Sequence, residues 1–248
     1  MKRVVRLAAL GVGAYVLILI ATFPAARISA SLEDQVADLA VNGVSGSIFS
    51  GQAAQVVYQG LDLGTLHWQF RPLRLLLGRL EYRVELDNPA NTGHLIAGKT
   101  LTGRTYVDDV EFEVLPDRLV NHYSLVAFNS SGTMQLLFES FSPGDDFTGE
   151  VVGRVIWHDA VILEPLSLVL GQLEMDVSTR DGQLVGRFDN SGDLAVSGEV
   201  ALSASNEYRV DLLLRLGPAI DADTQAILEQ FSQRLANGDY RIELSGQF

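Results

Sequence analysis

The sequence predicts a mainly β protein: an N-terminal transmembrane helix, then an antiparallel, curved β-sheet domain built from two related β units, with a C-terminal helix packed on the sheet. Three observations predict this architecture. An uncharged apolar run stands near the start, period-two alternation of apolar and polar residues dominates the remainder, and one leucine-rich segment recurs 93 residues further along the chain.

The first element is the apolar run at residues 7–26, which contains no charged side chain. At about 1.5 Å per residue, a helix of that length spans a hydrocarbon core of roughly 30 Å. Three basic residues lie in the preceding segment, 1–6. The positive-inside rule therefore predicts a cytoplasmic tail at 1–6, with the remainder outside the cytoplasm. A cleaved signal peptide is the alternative, and the length of the run favours an uncleaved anchor.

The charge of the exported part limits the classes of partner. The chain of 248 residues has 31 acidic and 18 basic side chains and no cysteine. Three basic residues precede the span, so the exported part has 31 acidic and 15 basic residues, a net charge of −16. This charge argues against binding to nucleic acid or to anionic lipid headgroups. The lack of cysteine excludes a disulfide framework and a thioether lipid anchor.

Residues 27–39 are amphipathic and are predicted to form a helical stalk. Beyond them, apolar residues alternate with polar ones, as in strands that bury one face. Turns such as Asn91-Thr92-Gly93 and Asp181-Gly182 separate these strands. The apolar positions are Leu66, Trp68, Phe70, Leu80, Tyr82, Val84, Leu86, Val110, Phe112, Val114, Leu194, Val196, Val200, Leu202, Val210, Leu212, Leu214, Leu216, Tyr240, Ile242 and Leu244.

One helix is predicted near the C-terminus, where it would cover the apolar face of the sheet. Asp223 is expected to cap its start, and Asn237-Gly238 is expected to stop it. Its apolar stripe consists of Ile227, Leu228, Phe231 and Leu235.

The recurring segment suggests an internal duplication. PLRLLLGRLEYRV at 72–84 aligns without gaps to PLSLVLGQLEMDV at 165–177, with eight identical positions of thirteen. The predicted units are therefore residues 40–146 and 147–248. Pro72 is expected to begin a helical turn and Gly78 to end it. The leucines between them are interpreted as a core plug at the end of the sheet, and a partner-docking surface is the alternative.

No catalytic, cofactor-binding or metal-binding pattern is present in the sequence. The four histidines are scattered, and the motifs that cradle phosphates or dinucleotides do not occur. The pairs Asp108-Asp109 and Asp145-Asp146 are interpreted as solvated turn residues. The sequence therefore predicts a protein that is not an enzyme and needs no cofactor.

The order of motifs resembles the general secretion pathway protein N family, the N component of bacterial type II secretion systems. The motifs are GVSGSIFSGQA at 43–53, GLDLGTLHWQFRPLRLLLGRL at 60–80 and the closing NGDYRIELSGQF. Phe49 departs from the pattern, which more often has tryptophan there. The resemblance singles out seven signature positions, each interpreted as structural: Gly46, Phe49, Gly51, Trp68, Arg71, Pro72 and Gly78.

The resemblance implies a single-pass inner-membrane protein of a Gram-negative envelope, with a cytoplasmic N-terminus and a periplasmic β domain. Such a protein helps to assemble or stabilise the machine that exports folded proteins, and its partners are other envelope proteins of that system. A lipid-handling protein is the alternative. That alternative requires an open apolar groove lined by Trp68, Phe70, Leu80 and Tyr82.

Overall fold

The computed structural model describes residues 22–116, 129–142, 149–164, 168–190, 194–205, 207–217 and 222–247. The chain divides into two compact units, Met1–Pro89 and Ala90–Phe248. Strands dominate both units, and the pairings between described strands are antiparallel. The prediction of a mainly β, antiparallel protein is therefore confirmed. The duplication boundary between residues 146 and 147 stays a prediction.

The first unit is a small antiparallel sheet preceded by a helix. Its strand order is β1-β3-β4-β5, and β2 pairs with Gly51 and Gln52 near the start of β3. Ala53 and Val56 on β3 are its most buried apolar residues. The elements are an N-terminal helix Ala26–Gln35, β1 Leu39–Asn42, β2 Ser45–Gly46, β3 Ser50–Tyr58, β4 Leu61–Phe70, a 3₁₀ helix Pro72–Leu77 and β5 Arg79–Asn88.

The second unit is an antiparallel meander, in which each strand pairs with its neighbours in sequence until the last two. Its order is β6-β7-β8-β9-β10-β11-β12-β13-β15-β14. The elements are β6 Asn91–Thr100, β7 Thr105–Val114, β8 Asn129–Phe141, β9 Val151–Glu164, β10 Leu168–Arg180, β11 Gln183–Asn190, β12 Leu194–Ser203, β13 Glu207–Leu216, a C-terminal helix Ala222–Phe231, β14 Gln233–Arg234 and β15 Tyr240–Gln247.

Alternation along the strands has the predicted effect in β7. Val110, Phe112 and Val114 are half-buried or buried, whereas Asp109 and Glu111 between them are exposed. Successive side chains of a strand point to opposite faces, so this pattern places the apolar residues on the packed face.

The core of the second unit is one buried cluster on its packed face. Tyr240 is its most enclosed large side chain, with 1% of its surface exposed. The Tyr240 hydroxyl accepts a hydrogen bond from Gln225 Nε2 at 2.8 Å and donates to Glu229 Oε1 at 3.2 Å. The cluster consists of Trp157, Ala160, Leu168, Leu170, Leu194, Leu214, Leu228 and Tyr240.

The C-terminal helix is shorter than the sequence predicts. It begins at Ala222 and ends at Phe231, six residues before the predicted stop at Asn237. Gln233 and Arg234 form a short strand with Arg241 and Tyr240 instead, because these residues complete the hydrogen bonds of the β15 edge. The prediction of a helix here is confirmed, and the predicted end is wrong.

One turn prediction also fails. Asp181-Gly182 forms the expected tight turn, with φ of +50° and +74°. Asn91, by contrast, is the first residue of β6, and its side chain is buried rather than exposed in a turn.

The predicted membrane anchor lies almost wholly outside the described residues, which begin at Thr22. Within the part of the chain that the structure describes, no helix is long and apolar enough to cross a membrane. The described helix nearest the run, Ala26–Gln35, occupies most of the segment predicted as a stalk.

Candidate functional site

The seven signature residues come together at one end of the β3–β4–β5 sheet, in a region we call the signature corner. The strand register accounts for this clustering. Gly46 pairs with Gly51 across β2 and β3, and Gly51 pairs with Trp68 across β3 and β4. Phe49 lies in the connection between β2 and β3. Arg71, Pro72 and Gly78 belong to the connection between β4 and β5.

Two glycines of the signature corner make room for the Trp68 indole. A Cβ on Gly51 would collide with Trp68 Cζ2 and with the Ser45 carbonyl. Gly46 has φ of +90°, and a Cβ there would lie 2.6 Å from the Gly51 Cα. The indole Nε1–H donates to the Ser47 carbonyl at 3.0 Å. The tryptophan thus lies against bare backbone, which only glycine permits at these positions.

Aromatic side chains fill the space beside the indole. Phe70 lies 5.2 Å from Phe49 and 5.3 Å from Tyr82, measured between ring centroids, and both pairs are tilted. The backbone N–H of Phe70 donates to the Phe49 carbonyl at 2.6 Å. Burial raises the pKa of the Tyr82 phenol. Phe49 therefore fills the corner through ring packing, which needs no indole donor.

A buried carboxylate joins the 3₁₀ helix to β5. Only 3% of the Glu81 side chain is exposed. Its oxygens lie 3.2 Å from Arg71 Nη1, 3.3 Å from Arg74 Nε and 3.9 Å from Arg79 Nη1. The Glu81 carbonyl also accepts the N–H of Arg71 at 2.9 Å. Arg71 is thereby fixed at the point where the chain leaves β4.

Glu81 is a residue that strand alternation misplaces. The period-two pattern assigns Leu80 to the packed face and Glu81 to the solvated face, yet Leu80 is 42% exposed and Glu81 only 2%. The cause is the arginine cluster, because a buried carboxylate needs charged or hydrogen-bonding partners and finds three here. The sequence feature that could have predicted the burial of Glu81 is the presence of four arginines within residues 71–83.

Pro72 and Gly78 bound the 3₁₀ helix, as the sequence predicts. Pro72 is the first helical residue, and Gly78 follows the last with φ of +70°. The N–H of Gly78 donates to the Leu75 carbonyl at 2.9 Å. Proline fits the first turn because no partner is needed for its missing N–H, and glycine tolerates the left-handed conformation.

The leucines between Pro72 and Gly78 do not plug the sheet. Leu73 is 78% exposed, Leu76 84% and Leu77 65%. Their interpretation as core is therefore wrong. The geometry explains it: a six-residue 3₁₀ helix has three residues per turn, and here it extends beyond the end of the sheet, where no other described element covers it.

The second copy of the segment has the opposite environment. Leu168 and Leu170, the counterparts of Leu75 and Leu77, are 4% and 5% exposed and belong to the buried cluster. They lie on β10 rather than on a 3₁₀ helix. Gly171, the counterpart of Gly78, keeps φ of +70° and occupies an irregularity in the β9–β10 ladder.

The clefts of the described residues do not form the groove that the lipid-handling alternative requires. Phe70 lines a cleft of 580 Å³ together with Leu73, Leu77 and three arginines. Trp68 lines a separate one of 300 Å³, and a third, of 820 Å³, has five carboxylates among its eleven lining residues, Asp108 and Asp109 among them. Asp109 lies 3.7 Å from His94 Nε2. Among the described residues, no three potential metal ligands of the His, Cys, Asp or Glu type gather.

Comparison with known proteins identifies the family. Residues 37–243 match the family model described as type II secretion system (T2SS), protein N. The chain belongs to the type II secretion system protein N family. The matched range contains the signature corner and nearly all of the β structure in both units, and the resemblance to this family is confirmed.

Two relatives of the protein N family extend the match. Type II secretion system protein N of Vibrio cholerae serotype O1 is 25% identical over 216 residues, which cover 84% of this chain and 85% of the relative. Its namesake from Aeromonas hydrophila is 24% identical over 253 residues, which cover both chains completely. No solved structure matches the chain. The seven signature residues keep a structural interpretation, with no binding role assigned to any of them.

Proposed function

We propose that this chain is a non-enzymatic accessory component of the type II secretion system. In this proposal residues 7–26 hold it in the inner membrane as a single span, with the N-terminus in the cytoplasm. The β units lie in the periplasm and bind other envelope proteins of the system, and this binding assists assembly or stabilisation of the export machine.

One observation carries the proposal: the match to the protein N family over residues 37–243. The match includes nearly all of the β structure of both units rather than a single motif, and this extent supports a role of the β units in secretion. The described site geometry agrees with a binding role. The signature corner is built from glycine backbone, packed rings and one buried ion-pair cluster, which order a surface.

The proposed contacts with partners are made by side chains more than by strand addition. The terminal strand of the first unit, β1, has four residues, and that of the second, β14, has two. Edges this short offer few unpaired backbone groups to a partner strand. Anchoring in the membrane would confine the β units to its surface and raise their effective concentration beside other membrane components.

Photocrosslinking in intact cells tests the proposal. A photoreactive amino acid replaces Glu199, whose side chain is 46% exposed on β12, and in a second variant it replaces His67 on β4. Ala160, which is fully buried, is the control position because a probe there has no access to partners. We expect ultraviolet-dependent adducts at position 199 and at the half-buried position 67, and mass spectrometry of these adducts is expected to identify secretion-system proteins.

The outcome that contradicts the proposal is equally specific. Adducts to phospholipid or lipopolysaccharide at positions 67 and 199, with no secretion-system protein among the captured molecules, would favour the lipid-handling alternative. The buried Ala160 position could also give secretion-system adducts in the same yield as the Glu199 position. In that case the probes would be reacting from unfolded chains, and the adducts would not support the proposal.

A further inference from the structure

The most exposed apolar surface of the first unit is formed by the connection between β4 and β5 together with the first five residues of β5, residues 71–83, which we call the leucine–arginine loop. Its leucines stand in solvent: Leu73, Leu76 and Leu77 are 78%, 84% and 65% exposed. No residue of the 3₁₀ helix is buried. Contiguous exposed apolar residues of this kind mark an interaction surface rather than a random feature of the surface.

The charge of the loop opposes that of the chain. Residues 71–83 contain four arginines and one glutamate, a net charge of +3, whereas the whole chain has −13. The aligned segment of the second copy, residues 164–176, contains Glu164, Glu174 and Asp176 and no basic residue, a net charge of −3. The two copies thus share the glycine and four of the five leucines and have opposite charge.

The two copies also differ in how deeply their leucines are buried: Leu168 and Leu170 of the negative copy are covered, and their counterparts in the positive copy are exposed. In the negative copy, Leu168 and Leu170 are covered within a cluster that includes Leu228 of the C-terminal helix and Tyr240 of β15. In the positive copy the corresponding leucines have no such cover among the described residues. The bare leucines and the positive charge occur together, which indicates one partner that is both apolar and anionic.

The position of the loop in the first unit indicates what that partner is. Phe23, next to the first described residue, accepts a hydrogen bond through its carbonyl from Ile48 N–H at 3.0 Å. Phe49, the next residue, pairs with Phe70. Phe23 and Phe70 are therefore two strand spacings apart, about 10 Å. Phe23 belongs to the uncharged run 7–26, and Phe70 is the last residue of β4, after which the leucine–arginine loop begins. The end of the run therefore lies close to the start of the loop.

We propose that the leucine–arginine loop inserts into the surface of an anionic phospholipid bilayer. The inference rests on the proposed anchoring of residues 7–26. The leucines enter the boundary between headgroups and acyl chains, and the guanidinium groups of Arg71, Arg74 and Arg79 lie at the level of the lipid phosphates. The 580 Å³ cleft lined by Phe70, Pro72 and the three arginines Arg71, Arg74 and Arg83 fits a phosphate-bearing headgroup.

A lipid surface fits these observations better than a second copy of the chain. Two copies that docked through this surface would bring together two loops of net charge +3, which repel each other. The strongly acidic chain as a whole is repelled by anionic lipid. The loop therefore provides a local exception to the expectation drawn from net charge, and it would set the orientation of the first unit at the membrane.

Spin labels on the full chain test the proposal. The chain has no cysteine, so Leu76→Cys and Val169→Cys each introduce one labelling site. The two positions are equivalent in the aligned copies, and both are exposed, at 84% and 53%. Each labelled chain is reconstituted in vesicles of phosphatidylcholine and phosphatidylglycerol at 7:3. Power saturation then measures collision of the label with oxygen, which dissolves in the bilayer, and with a water-soluble nickel chelate.

We expect the oxygen-to-nickel collision ratio at position 76 to exceed that at position 169 about fivefold, as for a label about 5–10 Å below the headgroup surface. In vesicles of phosphatidylcholine alone the ratio at position 76 is expected to fall. Equal ratios at the two positions overturn the proposal. If the collision ratio at position 76 is the same in vesicles without phosphatidylglycerol, the arginines do not bind anionic lipid, and that part of the proposal is overturned. Dipolar broadening at position 76 with low collision for both reagents assigns the surface to a second copy instead.

An alkaline carbonate wash separates failure of this inference from failure of the proposed anchoring. Chain that the wash removes from the vesicles has no membrane span, which overturns both. Chain that resists the wash and has a water-exposed label at position 76 keeps the anchor and overturns the loop insertion alone.

Discussion

At the scale of single residues, the Glu81 carboxylate connects the start of β5 to the 3₁₀ helix. The cluster contains three arginines whose side chains are 31–47% exposed, around one carboxylate that is 3% exposed. Because the arginine side chains remain in contact with water, only the Glu81 carboxylate loses most of its hydration on folding and pays the desolvation free energy of a buried charge. Its neutralisation would leave guanidinium groups held close together without their shared counter-charge.

The substitution Glu81→Gln is therefore expected to lower the free energy of unfolding by about 2 kcal/mol. Urea unfolding of the full chain in detergent, followed by tryptophan fluorescence, measures it. Glu199→Gln is the matched control, because Glu199 pairs with Arg187 and both side chains are about half exposed. Its expected cost is below about 0.5 kcal/mol. Equal costs for the two variants would contradict the buried-cluster account.

Gly51 provides a second test at this scale. The Cβ of a Gly51→Ala variant meets the Trp68 ring on one side and the Ser45 carbonyl on the other, so the indole has to move. We expect a loss of about 1–3 kcal/mol in unfolding free energy, typical of overpacking, and a red-shifted Trp68 emission. Fluorescence of a variant with Trp157→Phe isolates the Trp68 signal. Ser50→Ala, at the neighbouring exposed position, is expected to change neither quantity, and an unshifted Trp68 emission in Gly51→Ala would contradict the packing described.

At the scale of elements, the two leucine segments differ in what they contact. Leu168→Ala removes a side chain from the buried cluster and is expected to cost about 2–4 kcal/mol. Leu75→Ala, at the aligned position, removes a side chain that is 46% exposed and is expected to cost less than about 0.5 kcal/mol. Urea unfolding compares the two directly. A cost at Leu75 similar to that at Leu168 would mean that the 3₁₀ helix is packed.

The C-terminal helix has a specific attachment through Tyr240. The Tyr240→Phe substitution removes the hydroxyl that bonds Gln225 and Glu229 on the helix while it keeps the buried ring. We expect a loss of about 1 kcal/mol and faster amide hydrogen exchange in residues 222–231. Exchange in β11, which lies outside this contact, is the internal control. Unchanged exchange in the helix would show that the hydroxyl does not hold it.

Sequence periodicity predicted the elements better than their environments. Val110, Phe112 and Val114 behave as their alternation predicts, because β7 has one packed face and one solvated face. Glu81 departs from it, since three nearby arginines change the cost of burial, and arginine contacts depend on tertiary structure. The pattern Pro72 to Gly78 predicted the helical turn correctly.

The environment of the leucines was beyond prediction from the local sequence. Leu75 and Leu168 occupy the same position in segments that are identical at eight of thirteen positions, and only Leu168 lies in a buried cluster, to which Leu214, Leu228 and Tyr240 contribute from more than forty positions away. The end of the C-terminal helix was missed for a related reason. Gln233 and Arg234 pair with β15, and this long-range hydrogen bonding overrides the local stop signal at Asn237-Gly238.

At the scale of the whole molecule, membership of the protein N family is the property that links the fold to secretion. The β units supply ordered surfaces of two kinds. One is the positive leucine–arginine loop of the first unit. The other is the acidic surface of the second unit, where five carboxylates and one arginine line a cleft of 820 Å³. The proposal assigns the first surface to the membrane and leaves the remaining faces to envelope partners.

The most direct test of the proposed function measures secretion itself. In cells that carry the complete type II system, the gene for this chain is deleted, and the fraction of an exported protein that reaches the medium is compared with and without the wild-type chain on a plasmid. The account predicts that this fraction falls in the deletion strain, with the exported protein retained in the periplasm, and recovers on complementation. An unchanged fraction in the medium, at unchanged periplasmic content, would contradict a role in the export machine.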